Sequence, residues 1–193
     1  MITVETIRER HSVREYDGKP LARVEFDALG AVVEECARES GLDIQLVGDN
    51  PEAFNVIARF GLIRGCRTHV AFVVDDAKAG DVGEDEAIGY WGQKIVLAAQ
   101  DLGLTTCWCA LCSRKKSRAV VVPGKKIRLI IAVGHGKTQG FTRKTKSVEA
   151  LSSVECAKAP AWFAAAMEAA QLAPTAMNNQ NFKITLLSDG KTV

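Results

Sequence analysis

Two short apolar runs constrain this chain most: HVAFVV at residues 69–74 and RLIIAV at 128–133. Both are rich in β-branched residues. Asp75 and Asp76 close the first, and Gly134-His135-Gly136 closes the second. Such runs read as buried strands. A chain that carries them must build a covered sheet, so the rest of the sequence has to supply the cover.

Helical periodicity supplies part of it. Residues 21–39 place Phe26, Leu29, Val33 and Cys36 at helical spacing between acids and arginines, and Gly41 is a stop signal. Residues 44–47 predict a short strand. Residues 51–60 predict a second helix, with Asn50 as cap and Pro51 in the first turn. The acidic stretch 81–85 suits a helix start. The helix it opens carries Ile88, Trp91, Ile95, Ala98, Ala99 and Leu102 on one face and ends at Gly103. Residues 161–172 predict an alanine-rich helix stopped before Pro174, and 183–187 a final strand. Helices and strands alternate without regular βαβ units. The expected class is therefore α+β, a mixed and mainly antiparallel sheet flanked by helices. We expect one domain over residues 1–193, with 136–147 as the only linker-like stretch.

Composition excludes some classes. The chain has 193 residues and a net charge of +2, without the concentrated basic excess of a nucleic-acid binder. No apolar stretch reaches the roughly 20 residues of a membrane span. The start MITVETIRERHS lacks the apolar core of a signal peptide, so a cytoplasmic setting is expected. Six cysteines fit that setting as free thiols. Cys109-x-x-Cys112, with Cys107 just before it, reads as plain thiols, a redox dithiol or half a zinc site. No second C-x-x-C follows, and His69 and His135 stand at no ligand spacing to it, so no metal is expected. There is neither a G-x-G-x-x-G after a strand nor a G-x-x-x-x-G-K.

The run Arg10-His11-Ser12-Val13-Arg14 carries a different chemistry. In an extended segment alternate residues share a side. Arg10, Ser12 and Arg14 would then offer two guanidinium forks and a hydroxyl to one anion, and phosphate suits that set. A solvated basic patch is the alternative reading of the same run.

Four segments together resemble the FMN-dependent nitroreductase family. RHSVREYDGKPL is similar to its R-x-S-x-R phosphate motif. AIGYWGQKIVLAAQDLGLTTCW is similar to its central helix and LGLGTCW turn. LIIAVGHG followed by RKTK is similar to its strand, glycine turn and basic phosphate loop. AQLAPTAMNNQNFKI looks like A-P-S-x-x-N-x-Q-P-W. In most nitroreductases this last segment follows the first helix. Here IQLVGDNPEAF stands there instead, which resembles the TM-type nitroreductase subgroup. Asn181 and Phe182 depart from the usual Pro-Trp, and Ala110 and Leu111 from a glycine pair. Relatives commonly run on past the position of Val193, so substrate contacts are less well implied than flavin contacts.

The resemblance implies FMN as cofactor and NAD(P)H as reductant. It assigns Arg10, His11, Ser12 and Arg14 to the phosphate, ribityl and pyrimidine side, and Arg143, Lys144 and Lys146 to the phosphate. Arg14 is also the candidate stabiliser of reduced flavin. A backbone N–H at Cys109, Ala110 or Leu111 would meet the flavin N5. Pro174, Thr175, Asn178 and Gln180 would face the ring edge and its carbonyls. The implied activity is hydride transfer through flavin to a nitro, quinone or activated-alkene acceptor, with no dedicated side-chain acid. The implied partner is a small-molecule electron acceptor, and the implied assembly is a homodimer or a monomer closed by a pseudo-repeat. An FMN-storage protein, a dehalogenase-type enzyme on the same fold, and a cysteine-centred metal or redox protein are the alternatives.

Overall fold

The computed structural model describes residues 3–54, 63–109, 114–155 and 158–193. They fall into two compact units, one within residues 10–141, the other within residues 3–9 and 142–193.

The first unit is built on four strands: β1 (Asp43–Val47), β2 (Thr68–Asp75), β3 (Thr105–Cys109) and β4 (Lys125–Gly134), in the order β1-β2-β4-β3. Every pairing is antiparallel, as expected for a sheet without βαβ crossovers. HVAFVV is the buried strand the sequence predicts: every position of β2 from Thr68 to Val74 is buried and only Asp75 is exposed, and its partner β4 is buried from Ile130 to Gly134. The two long helices, α2 (Arg23–Ser40) and α3 (Val82–Asp101), cover one face. There Leu29, Val33, Cys36, Ile95 and Ala99 meet Val70, Phe72, Ile131 and Val133. Both helices end as their sequences dictate. Gly41 takes φ 72° and donates to the Ala37 carbonyl, while Asp81 caps α3 by accepting from the Glu84 N–H at 3.1 Å.

The opposite face is covered differently. Val13, Tyr16, Ala53, Phe54, Ile63 and Cys66 pack on Ala71, Val73, Cys107, Ile130 and Ala132. Among the described residues no long helix contributes there. Residues 51–54 form a 3-10 turn, and the rest of the helix expected over 51–60 lies outside the described residues. A β-bulge sets which side chains reach which face. Phe72 pairs with Leu129 and Val73 with Ile127, leaving Arg128 as the extra residue. Arg128 turns out to α3 and grips Asp85 with two bonds of 2.9 and 2.7 Å.

Strand β3 is missing from the sequence reading, which treats LGLTTCW as a turn. Its Thr-Thr-Cys-Trp-Cys composition is β-prone, but five residues beside a helix end give little periodicity. The strand expected over 183–187 is corrected in the other direction. In the second unit Ile184 makes a single parallel bridge to Ser152. Ile184 N–H donates to Leu151 and Ser153 N–H to Ile184, but the next donor, Leu186 N–H, goes to the Ser153 hydroxyl. A side chain has taken the place of the next ladder carbonyl, so the pairing stops. The second unit otherwise consists of α1 (Val4–Glu9), α4 (Val148–Leu151) and α5 (Ala161–Gln171) around Leu151, Phe163 and Met167. Arg8 of α1 pairs with Glu168 of α5.

Candidate active site

In the first unit the basic run is extended, as its alternation requires. The Val13 N–H donates to the Thr106 carbonyl at 3.0 Å, and Ser12 bridges Thr106 in parallel fashion. The segment is thus laid against β3 and continues to bridges at Glu15 with Arg64 and Tyr16 with Gly136. Close approach needs glycine at two points. A Cβ at Gly136 would lie 2.8 Å from a Val13 methyl, and one at Gly140 would lie 2.6 Å from the His11 Cβ.

This pairing sorts the side chains. Val13 and Tyr16 are buried in the sheet's second face, His11 and Ser12 are half-buried, and Arg14 is exposed. Arg10 is only 2% exposed, which is rare for an arginine. Arg10 and Arg14 both act electrostatically on the same group, the Cys107 thiol of β3. Both guanidinium groups therefore lie within electrostatic reach of that thiol.

The structure adds a cluster the sequence reading did not assemble. Cys107 and Cys109, two apart on β3, share a face, and Cys66 and Tyr16 are buried on the same side. A hydrogen bond from the Cys109 thiol, then the fields of Arg14 and Arg10, hold Cys107 below the usual thiol range. Burial instead pushes Cys66 up to about 12, and Tyr16 well above the ordinary phenol value. The Tyr16 hydroxyl is buried and has no hydrogen-bond partner among the described residues. The Cys-x-Cys spacing at period two was the available signal, because alternate strand residues share a face. The pairing considered from sequence was Cys109 with Cys112. Cys112, like Ala110 and Leu111, lies outside the described residues, and so does Cys156. Among the described residues no group of three metal-ligating side chains converges.

In the second unit the structure brings together all seven expected residues in two facing stretches, but with their polar atoms turned on one another. The Asn178 side-chain amide donates to the Lys144 carbonyl at 2.8 Å. Gln180 is 3% exposed and bonds three times into the basic loop. Its Oε1 accepts from the Lys146 N–H at 2.8 Å, its Nε2 donates to the Lys144 carbonyl at 3.1 Å, and its backbone carbonyl accepts from Lys146 Nζ at 3.1 Å. Thr175 Oγ1 accepts the Gln180 N–H at 3.0 Å, next to the half-buried Pro174. Arg143 donates to the Leu172 carbonyl at 2.8 Å, and burial lowers its pKa. The turn is tight enough to need positive φ at Met177, Asn178 and Gln180. These amides hold the shape of the basic loop, leaving the Lys144 ammonium exposed.

The buried arginine fits an anionic or electron-rich partner. Two guanidinium forks and a hydroxyl on one extended edge are the donor set that a phosphate or a flavin pyrimidine edge uses.

Comparison with known proteins places the fold. The family model described as "Putative TM nitroreductase" matches residues 2–193. Among solved structures, a putative nitroreductase from Thermotoga maritima aligns with a TM-score of 0.62 at 21% identity, covering 97% of this chain and 73% of that one. A putative nitroreductase from Desulfovibrio desulfuricans in complex with FMN aligns with a TM-score of 0.59 at 18% identity, over 79% of this chain and 95% of that one. A putative NADH dehydrogenase/NAD(P)H nitroreductase from Parabacteroides distasonis aligns with a TM-score of 0.57 at 21% identity, again over 79% and 95%. These likenesses establish the fold. None of the curated proteins matches the sequence.

Proposed function

The chain belongs to the TM nitroreductase family, and from that premise we propose that it is an FMN-dependent oxidoreductase. It would take reducing equivalents from NAD(P)H and deliver them to a nitro, quinone or activated-alkene acceptor. The observation that carries the reading is the buried Arg10 at the head of a cationic segment laid along β3. The FMN complex of the Desulfovibrio relative and the NAD(P)H in the name of the Parabacteroides relative support it.

FMN, when bound, supplies the two-electron carrier between reductant and acceptor. The residues of the chain bind and bias it. Arg10 and Ser12, with His11 between them, are proposed to hold the phosphate and ribityl side. Arg14 is proposed to stabilise negative charge at the pyrimidine edge, because a fixed cation needs no reorganisation when that charge develops. The backbone following Cys109, at Ala110 and Leu111, is proposed as the N5 partner. In the second unit the proposed cations are Arg143, Lys144 and Lys146, with Pro174, Thr175, Asn178 and Gln180 setting the turn that carries them. The proposal takes residues 1–193 as one functional domain in a cytoplasmic setting, assembled as a homodimer or closed within one chain by a pseudo-repeat.

The test is the visible spectrum of purified protein, with the released cofactor identified after denaturation. We expect FMN near one per chain, bleached by NADH or NADPH without oxygen. Arg10→Ala and Arg14→Ala should each weaken FMN about ten- to a hundredfold, the worth of a hydrogen bond to a charged group. A colourless protein that takes up no added FMN refutes the proposal.

A further inference from the structure

Residues 114–127, leading into and opening β4, frame a cavity that the flavin reading does not use. Its volume is about 420 Å³, within the range of small-ligand sites. Arg114, Lys115, Lys125, Lys126 and Ser117 form its polar wall. Ala119, Val121 and Ile127 form an apolar strip beside them. We propose that this cavity binds a small anion carrying two or more negative charges, its charged end on the lysines, Arg114 and the Ser117 hydroxyl, with any apolar portion on the strip.

The wall is fastened in place by side chains remote in sequence. Asn50, only 1% exposed, donates to the Lys116 carbonyl at 3.2 Å and accepts from the Arg118 N–H at 2.8 Å. Gln45 of β1 accepts from the Val120 N–H at 2.7 Å and donates to its carbonyl at 2.9 Å. Between these clamps, Nε2 of the fully buried His69 lies 2.8 Å from Ser117 Oγ, which also accepts the Ala119 N–H at 3.2 Å. A run such as Arg114-Lys115-Lys116-Ser117-Arg118 is ordinarily a solvated face. Here it is bent around a cavity and pinned on both sides of its serine.

The facing charges leave a positive surplus. Lys125 is 3.8 Å from Asp43 and 4.0 Å from Asp75, and Lys126 is 3.4 Å from Asp76. No carboxylate lines the cavity, and Lys115 has no ion-pair partner among the described residues. A singly charged ligand would not match this wall; a multiply charged one would.

The His69–Ser117 pair resembles a base beside a nucleophile, but its surroundings argue for binding rather than bond making. Burial pushes the His69 pKa down to about 4. Among the described residues its buried Nδ1 has no hydrogen-bond partner, so none of their carboxylates steadies an imidazolium. His69 stays neutral and positions the Ser117 oxygen.

Calorimetric titration of the full chain with inorganic pyrophosphate, with and without equimolar FMN, tests the site independently of the flavin reading. Binding should weaken about tenfold in Ser117→Ala, the loss of one hydrogen bond to a charged group, and further in Lys115→Glu. It should also fall with added salt. Phenyl phosphate should bind at least as tightly as inorganic phosphate, because its ring displaces water from the apolar strip. Lys115 is exposed, so its variant is expected to keep the wild-type unfolding midpoint and decides the matter if Ser117→Ala perturbs the fold. Absence of heat at millimolar pyrophosphate overturns the proposal, as does wild-type affinity in Lys115→Glu. Weaker binding of phenyl phosphate than of phosphate overturns its apolar part.

Discussion

Helix α3 contains two glycines that separate packing from backbone propensity. Gly92 lies buried against β3, and a Cβ built on it would sit 2.4 Å from Trp108 Cη2 and 3.1 Å from Phe72 Cζ. Alanine there gains about 1 kcal/mol of helix propensity. Against this, the Trp108 ring must retreat by about an ångström to restore ordinary contact. That ring is stacked on Phe72 at 6.4 Å and 12°, and its Nε1 donates to Gln93 Oε1 at 3.3 Å. Overpacking of this kind costs about 1–3 kcal/mol, and disturbing an aromatic pair costs about 0.5–1.5 kcal/mol more. The clash wins, and Gly92→Ala should destabilise by about 0.5–3.5 kcal/mol. Gly89 is three residues earlier on the exposed face, with nothing within 4 Å of its Cβ position. Gly89→Ala should therefore stabilise by up to about 1 kcal/mol. Urea unfolding followed by tryptophan fluorescence measures both, read as midpoint changes at constant m. Equal stability of the two variants would refute the packing argument.

Two further outcomes are expected. His69 has its folded pKa lowered by burial from 6.5 to about 4, so the unfolded chain binds the proton first. Its contribution is complete above about pH 6.5 and is lost as pH falls toward about 4, up to about 3 kcal/mol in all. His69→Gln should flatten that limb in unfolding midpoints collected across the window, and a wild-type stability constant over it would contradict the reasoning. For Cys107, ultraviolet thiolate absorbance should show a step below the ordinary thiol range in the folded protein. Cys107→Ser should abolish that step and Arg14→Ala should move it upward; a step unchanged in both variants would mean that the thiol–guanidinium cluster does not set it.

Much of the scaffold was legible in the residues. α2, α3 and α5, and the strands β1, β2 and β4, follow from periodicity, β-branched content and end signals carried within each segment. Those signals are local, so each segment declares its own state. β3 escaped because five residues beside a helix end carry too little pattern. The strand expected over 183–187 failed because its partner, residues 151–153, offers one backbone bridge and then a serine side chain.

The sequence by itself determined an α+β chain of the nitroreductase kind, with a cationic segment suited to an anion. Tertiary structure alone decided what that chemistry faces. Arg10 and Arg14 come within electrostatic reach of the Cys107 thiol because residues 12–13 pair with Thr106, and Ser117 meets His69 across 48 residues of sequence. It also decided that the Asn178 and Gln180 amides clamp the basic loop rather than stand open. The physical reason is common to all three. Periodicity tells which way a side chain points, but its partner, and hence its protonation and reach, is set by which distant strand or loop the folded backbone brings to it.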